Sequence, residues 1–322
     1  MPLILSEADV QTLLTMPVAL AAVEESFARM AQGAAKLHVR RRLDLPEKGF
    51  LHYMAAADTA GGYMGMKIYT SVGGALRFLV PLYRVSTGEL LALVEANTLG
   101  QMRTGAASGV ATKHMANTNA STAGVIGTGL QARTQLEAIA AVRKLARVRA
   151  FGRDEARRAA FAKEMSAGLG VRVEAARSAE EAVREAEIVV AATTASKPVV
   201  LGAWLAPGAH VNAIGANFPQ KRELDDEAVN RAGIIAADSR EQSRMEAGDL
   251  IRAFGENQQR WSMVRELSEI VSGAAEGRTS ERQITLFKSN GIATEDVAAA
   301  ARVYEMALAR GMGQRVEMWG EK

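Results

Sequence analysis

The 322-residue sequence contains no cysteine, and this absence excludes disulfide bonds, thiolate nucleophiles and cysteine metal sites. Its four histidines lack the close spacing of zinc ligands, so no metal site is predicted. The longest apolar runs, such as Ile188–Ala192, fall far short of the roughly 20 residues that cross a bilayer. The N-terminus lacks the basic and apolar segments of a signal peptide. We therefore expect a cytoplasmic protein with no membrane contact.

Aromatic residues make up only 5% of the sequence, and the net charge is only +3. The arginines are distributed along the chain and form no basic stripe with aromatic residues, so nucleic-acid binding is not predicted. The apolar and charged shares, 48% and 23%, are those of an ordinary globular protein. The chain is long enough for two domains.

Short β-branched runs alternate with amphipathic stretches from Ser121 to Phe287. This alternation predicts a doubly wound parallel sheet with helices on both faces, as in the Rossmann fold. The helices of this region are predicted at Gln131–Leu145 and Asp154–Ala167. The predicted strands are Ala123–Ile126, Val148–Phe151, Val171–Glu174, Ile188–Thr193, His210–Ile214, Ile234–Ala236 and Ile284–Phe287.

Short glycine-containing connectors join the strand-like runs of the first 117 residues and predict an antiparallel sheet there. Its strands are predicted at Phe50–Met54, Tyr63–Tyr69, Phe78–Val85 and Glu89–Glu95, and its helices at Pro17–Ala31, Asn97–Met115 and, packing back from the C-terminus, Thr294–Arg310. The predicted fold class is therefore α/β. A discontinuous α+β domain covers residues 1–117 and 294–322, and a Rossmann domain covers residues 118–293.

The strongest local signal is G-x-G-x-x-A, which follows the first strand of the Rossmann region and opens a helix. Gly127 permits the tight turn, Gly129 lets backbone amides approach a pyrophosphate, and Ala132 lets the helix pack closely. Leu130 and Gln131 lie in the same turn, at the positive N-terminus of the helix. The motif predicts a dinucleotide site, and the alternative is an ordinary turn between strand and helix.

The choice of dinucleotide depends on the end of the second strand, where an acidic residue binds a ribose diol and a basic one binds a 2′-phosphate. Gly152 stands at the acidic position and Arg153 follows it, so NADP(H) is favoured. Asp154 supports NAD(H) as the alternative, and an exposed Arg153–Asp154 pair without function is a third interpretation. Hydroxyl side chains after the fourth strand are further cofactor candidates: Thr193, Thr194 and Ser196.

Two cations lie where the pattern predicts burial. Lys67 lies inside a strand and Arg103 inside a helix made mostly of small residues. Because an unpaired buried charge costs several kcal/mol, a substrate carboxylate is a natural partner for them. A solvent-facing lysine and a structural salt bridge of Arg103 are the equally weighted alternative.

Several segments together resemble the ornithine cyclodeaminase/μ-crystallin family, over essentially the whole chain. They are Arg103–Lys113, Gly127–Arg133, Val211–Asn217, Arg222–Asp225, Gly277–Ser280 and Phe287–Ala293. The resemblance implies a homodimer formed through the N-terminal sheet and an active site in the cleft between the two domains. It also implies NAD(P)(H) as cofactor and adds Thr104 and Ser289 as cofactor-binding residues.

The family's carboxylate-binding cations match Lys67, Arg103 and one residue of the run Arg40–Arg42, of which Arg41 is chosen. Lys67 is also the candidate for proton transfer to or from the substrate nitrogen, with His52 as a second donor. Family cyclodeaminases have carboxylates at two positions that are His52 and Asn217 here. Because an amide cannot titrate, cyclodeamination is disfavoured.

The predicted function is reduction of a small 2-imino acid, such as Δ1-pyrroline-2-carboxylate or Δ1-piperideine-2-carboxylate, to an L-amino acid such as proline. This chemistry requires a carboxylate anchor, a proton donor and a cofactor hydride. The alternatives are an NAD-dependent ornithine cyclodeaminase and a non-catalytic NADP-binding protein similar to μ-crystallin.

Overall fold

The computed structural model describes residues 1–46 and 49–318. Its first elements are β1 (Leu3–Leu5), α1 (Glu7–Leu13), α2 (Met16–Ala31), β2 (Ala35–Asp44), β3 (Phe50–Asp58), β4 (Tyr63–Val72), β5 (Ala75–Arg84), β6 (Leu90–Glu95) and α3 (Asn97–Met115). The middle elements are β7 (Thr122–Ile126), α4 (Leu130–Val142), β8 (Arg147–Phe151), α5 (Glu155–Leu169), β9 (Arg172–Ala175), α6 (Ala179–Val183), β10 (Ile188–Ala191), β11 (His210–Ala213), α7 (Asp226–Arg231), β12 (Ala232–Ala237), α8 (Arg240–Glu246), α9 (Gly248–Phe254), α10 (Gln258–Ser262), β13 (Arg265–Glu266), α11 (Leu267–Val271) and β14 (Ile284–Lys288). The last are α12 (Ala293–Arg310) and β15 (Gln314–Arg315).

The chain divides into two compact units. Unit 1 comprises Met1–Thr104 and Gly291–Lys322, and unit 2 comprises Gly105–Asn290. The first boundary lies inside α3, where small residues continue the helix, and not after residue 117 as the sequence analysis places it. The end of the predicted first domain, residues 319–322, lies outside the described residues.

Unit 1 is built on a seven-stranded sheet in the order β15-β1-β6-β5-β4-β3-β2. In this sheet β2 to β6 form an antiparallel meander, of which β3 to β6 are the predicted strands. α12 packs on β3, β4 and α2. Inward and outward positions alternate along β3, where His52 and Met54 are buried while Tyr53 is exposed. One face of the meander therefore points toward α12, and Lys67 is a buried residue of β4.

Unit 2 is an eight-stranded sheet in the order β13-β12-β14-β11-β10-β7-β8-β9, and all of its strand pairs are parallel. Successive residues of β10 enter separate cores, since Ile188 and Val190 pack in one core and Val189 and Ala191 in the other. The strand order reverses between β7 and β10. In a doubly wound fold, ligands bind at the carboxyl ends of the strands beside such a reversal.

The predicted α/β fold class is confirmed, and each strand predicted from the sequence is present with shifted ends. The prediction missed β2, which carries the arginine run Arg40–Arg42, because its exposed charged residues resemble a loop. It also missed the short helices between β11 and β14. Within the described residues, the structure contains no helix long and apolar enough to span a membrane.

Candidate active site

Buried ion pairs join Lys67 and Arg103 to the first turn of α12 in unit 1. Lys67 Nζ lies 3.0 Å from Asp296 Oδ1, and Arg103 Nε lies 2.9 Å from the same oxygen. Arg103 Nη1 lies 2.8 Å from Glu295 Oε2. Both cations are at most 5% exposed and both carboxylates are fully buried. The cations therefore have internal partners that the sequence analysis did not identify.

Arg40 is the arginine of β2 that joins this cluster. Its Nη2 donates a hydrogen bond to the carbonyl of Gly291, 3.0 Å away. Arg41 is exposed, and Arg42 is paired with the exposed Asp44 at 2.7 Å. Arg40, and not the predicted Arg41, therefore reaches the cluster, because a bulge between His38 and Arg41 shifts the strand register there.

A glycine lets the two guanidinium groups approach one backbone segment. Gly291 has φ +78°, and a Cβ built on it would lie 2.3 Å from Arg103 Nη1. Three cations, Arg40, Lys67 and Arg103, therefore lie together beside the start of α12.

The Lys67 ammonium is set up for proton transfer near neutral pH. Its pKa is lowered to about 8, chiefly because burial disfavours the charged form. The positive charges of Arg103 and Arg40 lower the pKa further, whereas Asp296 raises it. An amine with a pKa in this range can both give and take a proton at physiological pH.

His52 is buried on β3 and stays neutral near pH 7. Burial, followed by the charges of Arg40 and Arg42, lowers its pKa to about 4. Its Nδ1 shares a short hydrogen bond with the hydroxyl of Tyr69, and its ring stacks on Phe50 at 4.4 Å. An imidazole held neutral in this way is a weak proton donor, so the geometry favours Lys67 for that role.

The glycine turn of unit 2 has the shape that a pyrophosphate requires. Gly127 has φ +115°, and a Cβ there would lie 2.3 Å from the carbonyl oxygen of Ala192. Gly129 is the N-cap of α4 with φ −86°, and a Cβ there would meet nothing within 4 Å. The fold therefore demands glycine at 127, whereas the space beside Gly129 is open.

Two further features of this turn fit a bound dinucleotide. Gln131 Oε1 is buried and has no hydrogen-bond partner within the part of the chain that the structure describes. Leu130, 61% exposed, projects from the first turn of α4, and Ala132 is fully buried beneath it. An unsatisfied acceptor and an exposed apolar side chain beside a helix N-terminus are both explained by a ligand there.

Arg133 fixes the backbone of the glycine turn and was given no role by the sequence analysis. Its Nη1 donates to the carbonyls of Thr128 and Gly129, each at 3.1 Å. Its other nitrogens pair with Glu164 at 2.7 and 2.8 Å, and its guanidinium lies 5.4 Å from the centre of the Phe161 ring. The glycine turn is thus stabilised by a side chain of α4, the helix that follows it.

The end of β8 carries an exposed basic side chain and an engaged acidic one. Asp154 is the N-cap of α5, and its Oδ1 accepts a hydrogen bond from the amide of Arg157 at 2.8 Å. Arg153 is exposed. A Cβ on Gly152 would lie 2.7 Å from Thr128 Oγ1, so a larger residue at this position requires the Thr128 side chain to move.

The remaining cofactor candidates fall into two groups. In unit 2, Thr194 and Ser196 lie in the loop after β10, while the amide of Thr193 is engaged by Glu223. Asn217 is half-buried in the loop after β11. Two hydroxyls are buried instead: Ser289 contacts Asp238 Oδ2 at 3.4 Å, and Thr104 of unit 1 donates to the carbonyl of Gly100.

A buried frame of three charged residues, Glu223, Asp249 and Lys288, supports the loops at the carboxyl ends of β10, β11 and β14. The Glu223 carboxylate accepts hydrogen bonds from the backbone amides of Thr193 and Gly215, at 2.5 and 2.6 Å. Asp249 accepts a hydrogen bond from the backbone amide of Glu223 at 2.7 Å. Lys288 Nζ donates hydrogen bonds to the carbonyls of Ala213 and Ser289, each at 3.2 Å. Burial raises the pKa of both carboxyls above their ordinary values.

The sequence carried a signal for two of the residues that were missed. Glu295 and Asp296 interrupt an alanine- and valine-rich helix at positions where the apolar pattern predicts burial. Adjacent carboxylates on a buried helix face need cationic partners, and Lys67 and Arg103 were already identified as cations in need of partners. The frame of Glu223, Asp249 and Lys288 had no comparable signal, since its members are scattered and join only in the folded sheet.

Comparison with known proteins gives close matches over most of the chain. A model of the ornithine cyclodeaminase/mu-crystallin family matches residues 1–311. A Delta(1)-pyrroline-2-carboxylate reductase of Bacillus cereus is 39% identical over 262 residues, which cover 79% of this chain and 80% of the relative.

Two solved structures are also similar. The Thermococcus litoralis Delta(1)-pyrroline-2-carboxylate reductase in complex with NADH and L-proline has a TM-score of 0.93 and 36% identity, covering 98% of this chain and 100% of that chain. An archaeal alanine dehydrogenase dimer with bound NAD has a TM-score of 0.92 and 35% identity, covering 99% of each chain. These matches confirm the resemblance seen in the sequence motifs.

Proposed function

Because the chain belongs to the ornithine cyclodeaminase/mu-crystallin family, we propose that it is a nicotinamide-dependent oxidoreductase that reduces a small 2-imino acid to an L-amino acid. The observation that carries this proposal is the buried Lys67, whose pKa of about 8 suits proton transfer and which shares Asp296 with Arg103. The relatives named as Delta(1)-pyrroline-2-carboxylate reductases support a cyclic imine as substrate.

Arg40 and Arg103 bind the substrate carboxylate in this proposal, and Lys67 protonates the imine nitrogen. The cations of this cluster suit an anionic group of the substrate. Lys67 starts as the ammonium, gives one proton to the nitrogen as the carbon–nitrogen double bond is reduced, and ends as the neutral amine. His52, neutral at pH 7, orients Tyr69 at the edge of the cluster.

The glycine turn of unit 2 would hold the cofactor's pyrophosphate, with Gly127, Gly129 and the N-terminus of α4 supplying the backbone approach. When bound, a reduced nicotinamide dinucleotide supplies the hydride for the imine carbon. Thr193, Thr194, Ser196 and Asn217 would line the carboxyl edge of the sheet beside it, and Gln131 would accept a hydrogen bond from it.

The test of this function is cofactor oxidation against a substrate panel. The panel contains Δ1-pyrroline-2-carboxylate, Δ1-piperideine-2-carboxylate, and pyruvate with ammonia. We expect the cyclic imines to be reduced fastest. Faster turnover of pyruvate with ammonia would identify an alanine dehydrogenase instead. Release of ammonia and proline from L-ornithine would identify a cyclodeaminase, and tight cofactor binding with no turnover would identify a binding protein.

We further propose that NADP(H) is preferred over NAD(H). Asp154 Oδ1 already accepts a hydrogen bond as the N-cap of α5, while Arg153 is exposed beside the same helix terminus and offers a cation to a 2′-phosphate. Arg153→Ala should raise the KM for NADPH about tenfold or more, since a charge-assisted hydrogen bond contributes about 1.5–3 kcal/mol. The KM for NADH should not change.

Lys163→Ala is the matched control, since Lys163 is also exposed on α5 but lies away from its N-terminus. Equal effects of the two variants, or an NADH preference in the wild type, would refute the assignment of Arg153. The NADH and NAD in the two similar structures support the nicotinamide class, and the phosphorylated form rests on Arg153 and Asp154.

The outer face of the unit 1 sheet supports a homodimer. Apolar residues line a groove of about 520 Å³ on it, among them Ala55, Ala57, Met64 and Met66. A contiguous apolar face of a sheet is the usual surface of a subunit interface, and the similar alanine dehydrogenase is described as a dimer. Met66→Glu should convert the dimer to a monomer in light scattering after gel filtration, and a monomeric wild type would refute the proposal.

A further inference from the structure

Asp296 makes a contact that distinguishes it from the neighbouring Glu295. Its Oδ1 receives hydrogen bonds from both Lys67 Nζ and Arg103 Nε, whereas Glu295 is bonded to Arg103 through Nη1. Its second oxygen, Oδ2, is buried with no hydrogen-bond partner among residues 1–46 and 49–318. The orientation of the Asp296 carboxylate therefore depends on the two cations, and Lys67 Nζ is in direct contact with that carboxylate.

We propose that Asp296 is the positioning residue that keeps Lys67 protonated and pointed for transfer to the substrate nitrogen. This inference rests on the proposed function, in which Lys67 is the proton donor. Without Asp296, the ammonium would face two guanidinium groups and no contacting carboxylate. The lysine would then lose its proton at a lower pH, before it could donate to an imine.

The surroundings of Lys67 support this assignment from every element packed against it. α12 supplies Asp296, α3 supplies Arg103, and β2 supplies Arg40. On its own sheet, the rings of Tyr69 and Phe78 lie 5.9 and 5.7 Å from Nζ, and Tyr69 is bonded to the neutral His52. Among these neighbours in the described chain, Asp296 is the carboxylate in contact with Nζ.

The test is the pH dependence of kcat/KM for Asp296→Asn in both reaction directions. Reduction needs protonated Lys67. The alkaline limb of the kcat/KM profile for reduction should therefore move to lower pH by roughly 1–3 units, the effect expected when an opposite charge in contact with the lysine is removed. Oxidation of the L-amino acid needs neutral Lys67, so its acidic limb should move in the same direction by the same amount. At pH 8 the variant should therefore lose about tenfold or more in reduction relative to oxidation.

Glu295→Gln is the matched control, because it removes a buried carboxylate that contacts Arg103 but not Lys67. Its pH limbs should stay where the wild type has them, although its KM should rise. Asp296→Glu keeps the charge but displaces the carboxylate, so its limbs should move in the same direction as those of Asp296→Asn, by a smaller amount. If Asp296→Asn does not fold, Asp296→Glu carries the test alone, because a longer side chain moves the carboxylate and must shift the limb measurably.

Outcomes that overturn the inference are distinct from those that overturn the function. Unmoved limbs in Asp296→Asn, with both directions slowed equally, would give Asp296 a structural role alone. Equal limb shifts in Asp296→Asn and Glu295→Gln would assign the effect to Arg103. Wild-type protein without imino-acid turnover, or full activity of Lys67→Ala, would instead refute the proposed function.

Discussion

The two glycines of the nucleotide turn should respond in opposite ways to the same substitution. Gly127→Ala places a methyl group 2.3 Å from the carbonyl oxygen of Ala192 at φ +115°, where backbone on both sides cannot yield easily. Gly129→Ala places it at φ −86° with nothing within 4 Å. Gly127→Ala should therefore lower the stability of the fold, whereas Gly129→Ala should weaken the binding of a dinucleotide.

The magnitudes follow from these environments. Strain in the left-handed region costs about 1–3 kcal/mol, and each kcal/mol lowers Tm by about 2–4 °C in a unit of this size, so Gly127→Ala should lose about 2–12 °C. At Gly129, alanine is a poorer N-cap than glycine by roughly 1 kcal/mol, but it reduces the entropy of the unfolded chain by about 0.4–1 kcal/mol. The two terms nearly cancel, so Tm should stay within about 2–3 °C.

Cofactor affinity separates the two variants most clearly. In the proposed site, an alanine methyl group at position 129 would occupy the space of the pyrophosphate. Loss of one charge-assisted hydrogen bond costs about 1.5–3 kcal/mol, or roughly 10- to 100-fold in Kd. Calorimetric titration with NADPH and NADH, together with thermal unfolding of the same samples, measures both effects. A Gly129→Ala protein that binds dinucleotide as tightly as the wild type would refute the location of the phosphate site.

Two more predictions concern the cation cluster and one concerns the buried frame. Lys67→Ala should lower kcat for imine reduction by about 10²–10⁴-fold, the usual effect of losing an acid–base group, while the Kd of the dinucleotide in unit 2 stays constant. Because reduction consumes the Lys67 proton, wild-type kcat/KM should be level below pH 8 and fall tenfold per unit above it; a profile level to pH 10 would contradict the pKa of about 8. Glu223→Ala leaves the amides of Thr193 and Gly215 without their buried acceptor, which costs about 1–3 kcal/mol for each, so thermal unfolding should show a Tm lower by several degrees. An unchanged Tm would mean that water replaces the carboxylate.

The doubly wound sheet could be predicted from the sequence because its signals are local. Each buried strand is a short β-branched run, and the glycine turn is a contiguous motif whose strand and helix flank it directly. The antiparallel meander was equally accessible, since short turns between neighbouring strands fix their pairing. In both cases the residues that decide the structure are close together in the chain.

The partners of the cation cluster could not be predicted because they are distant in sequence. Lys67 and Asp296 are 229 residues apart, and only the packing of α12 on β4 brings them together. The arginine of β2 that reaches the cluster was equally hidden, because the bulge before Arg41 changes which side chain faces inward. Charge alone marks three equivalent arginines, and the fold selects Arg40.

Cofactor preference shows a third limit. The sequence gives Arg153 and Asp154 as neighbours with opposite implications. In the structure, Asp154 caps the N-terminus of α5 through a hydrogen bond from the Arg157 amide, while Arg153 is exposed. A side chain that caps the N-terminus of a helix can be identified only when the first residue of the helix is known. Sequence patterns do not give helix boundaries to within one residue.

The frame of Glu223, Asp249 and Lys288 has an evolutionary consequence. It anchors the loops after β10, β11 and β14 through backbone amides and carbonyls, so their attachment is independent of which side chains they display. Substitutions at Asn217 and Thr194 should therefore leave the backbone of these loops in place. A scaffold tied down from beneath in this way tolerates new side chains in its loops while their backbone conformation is retained.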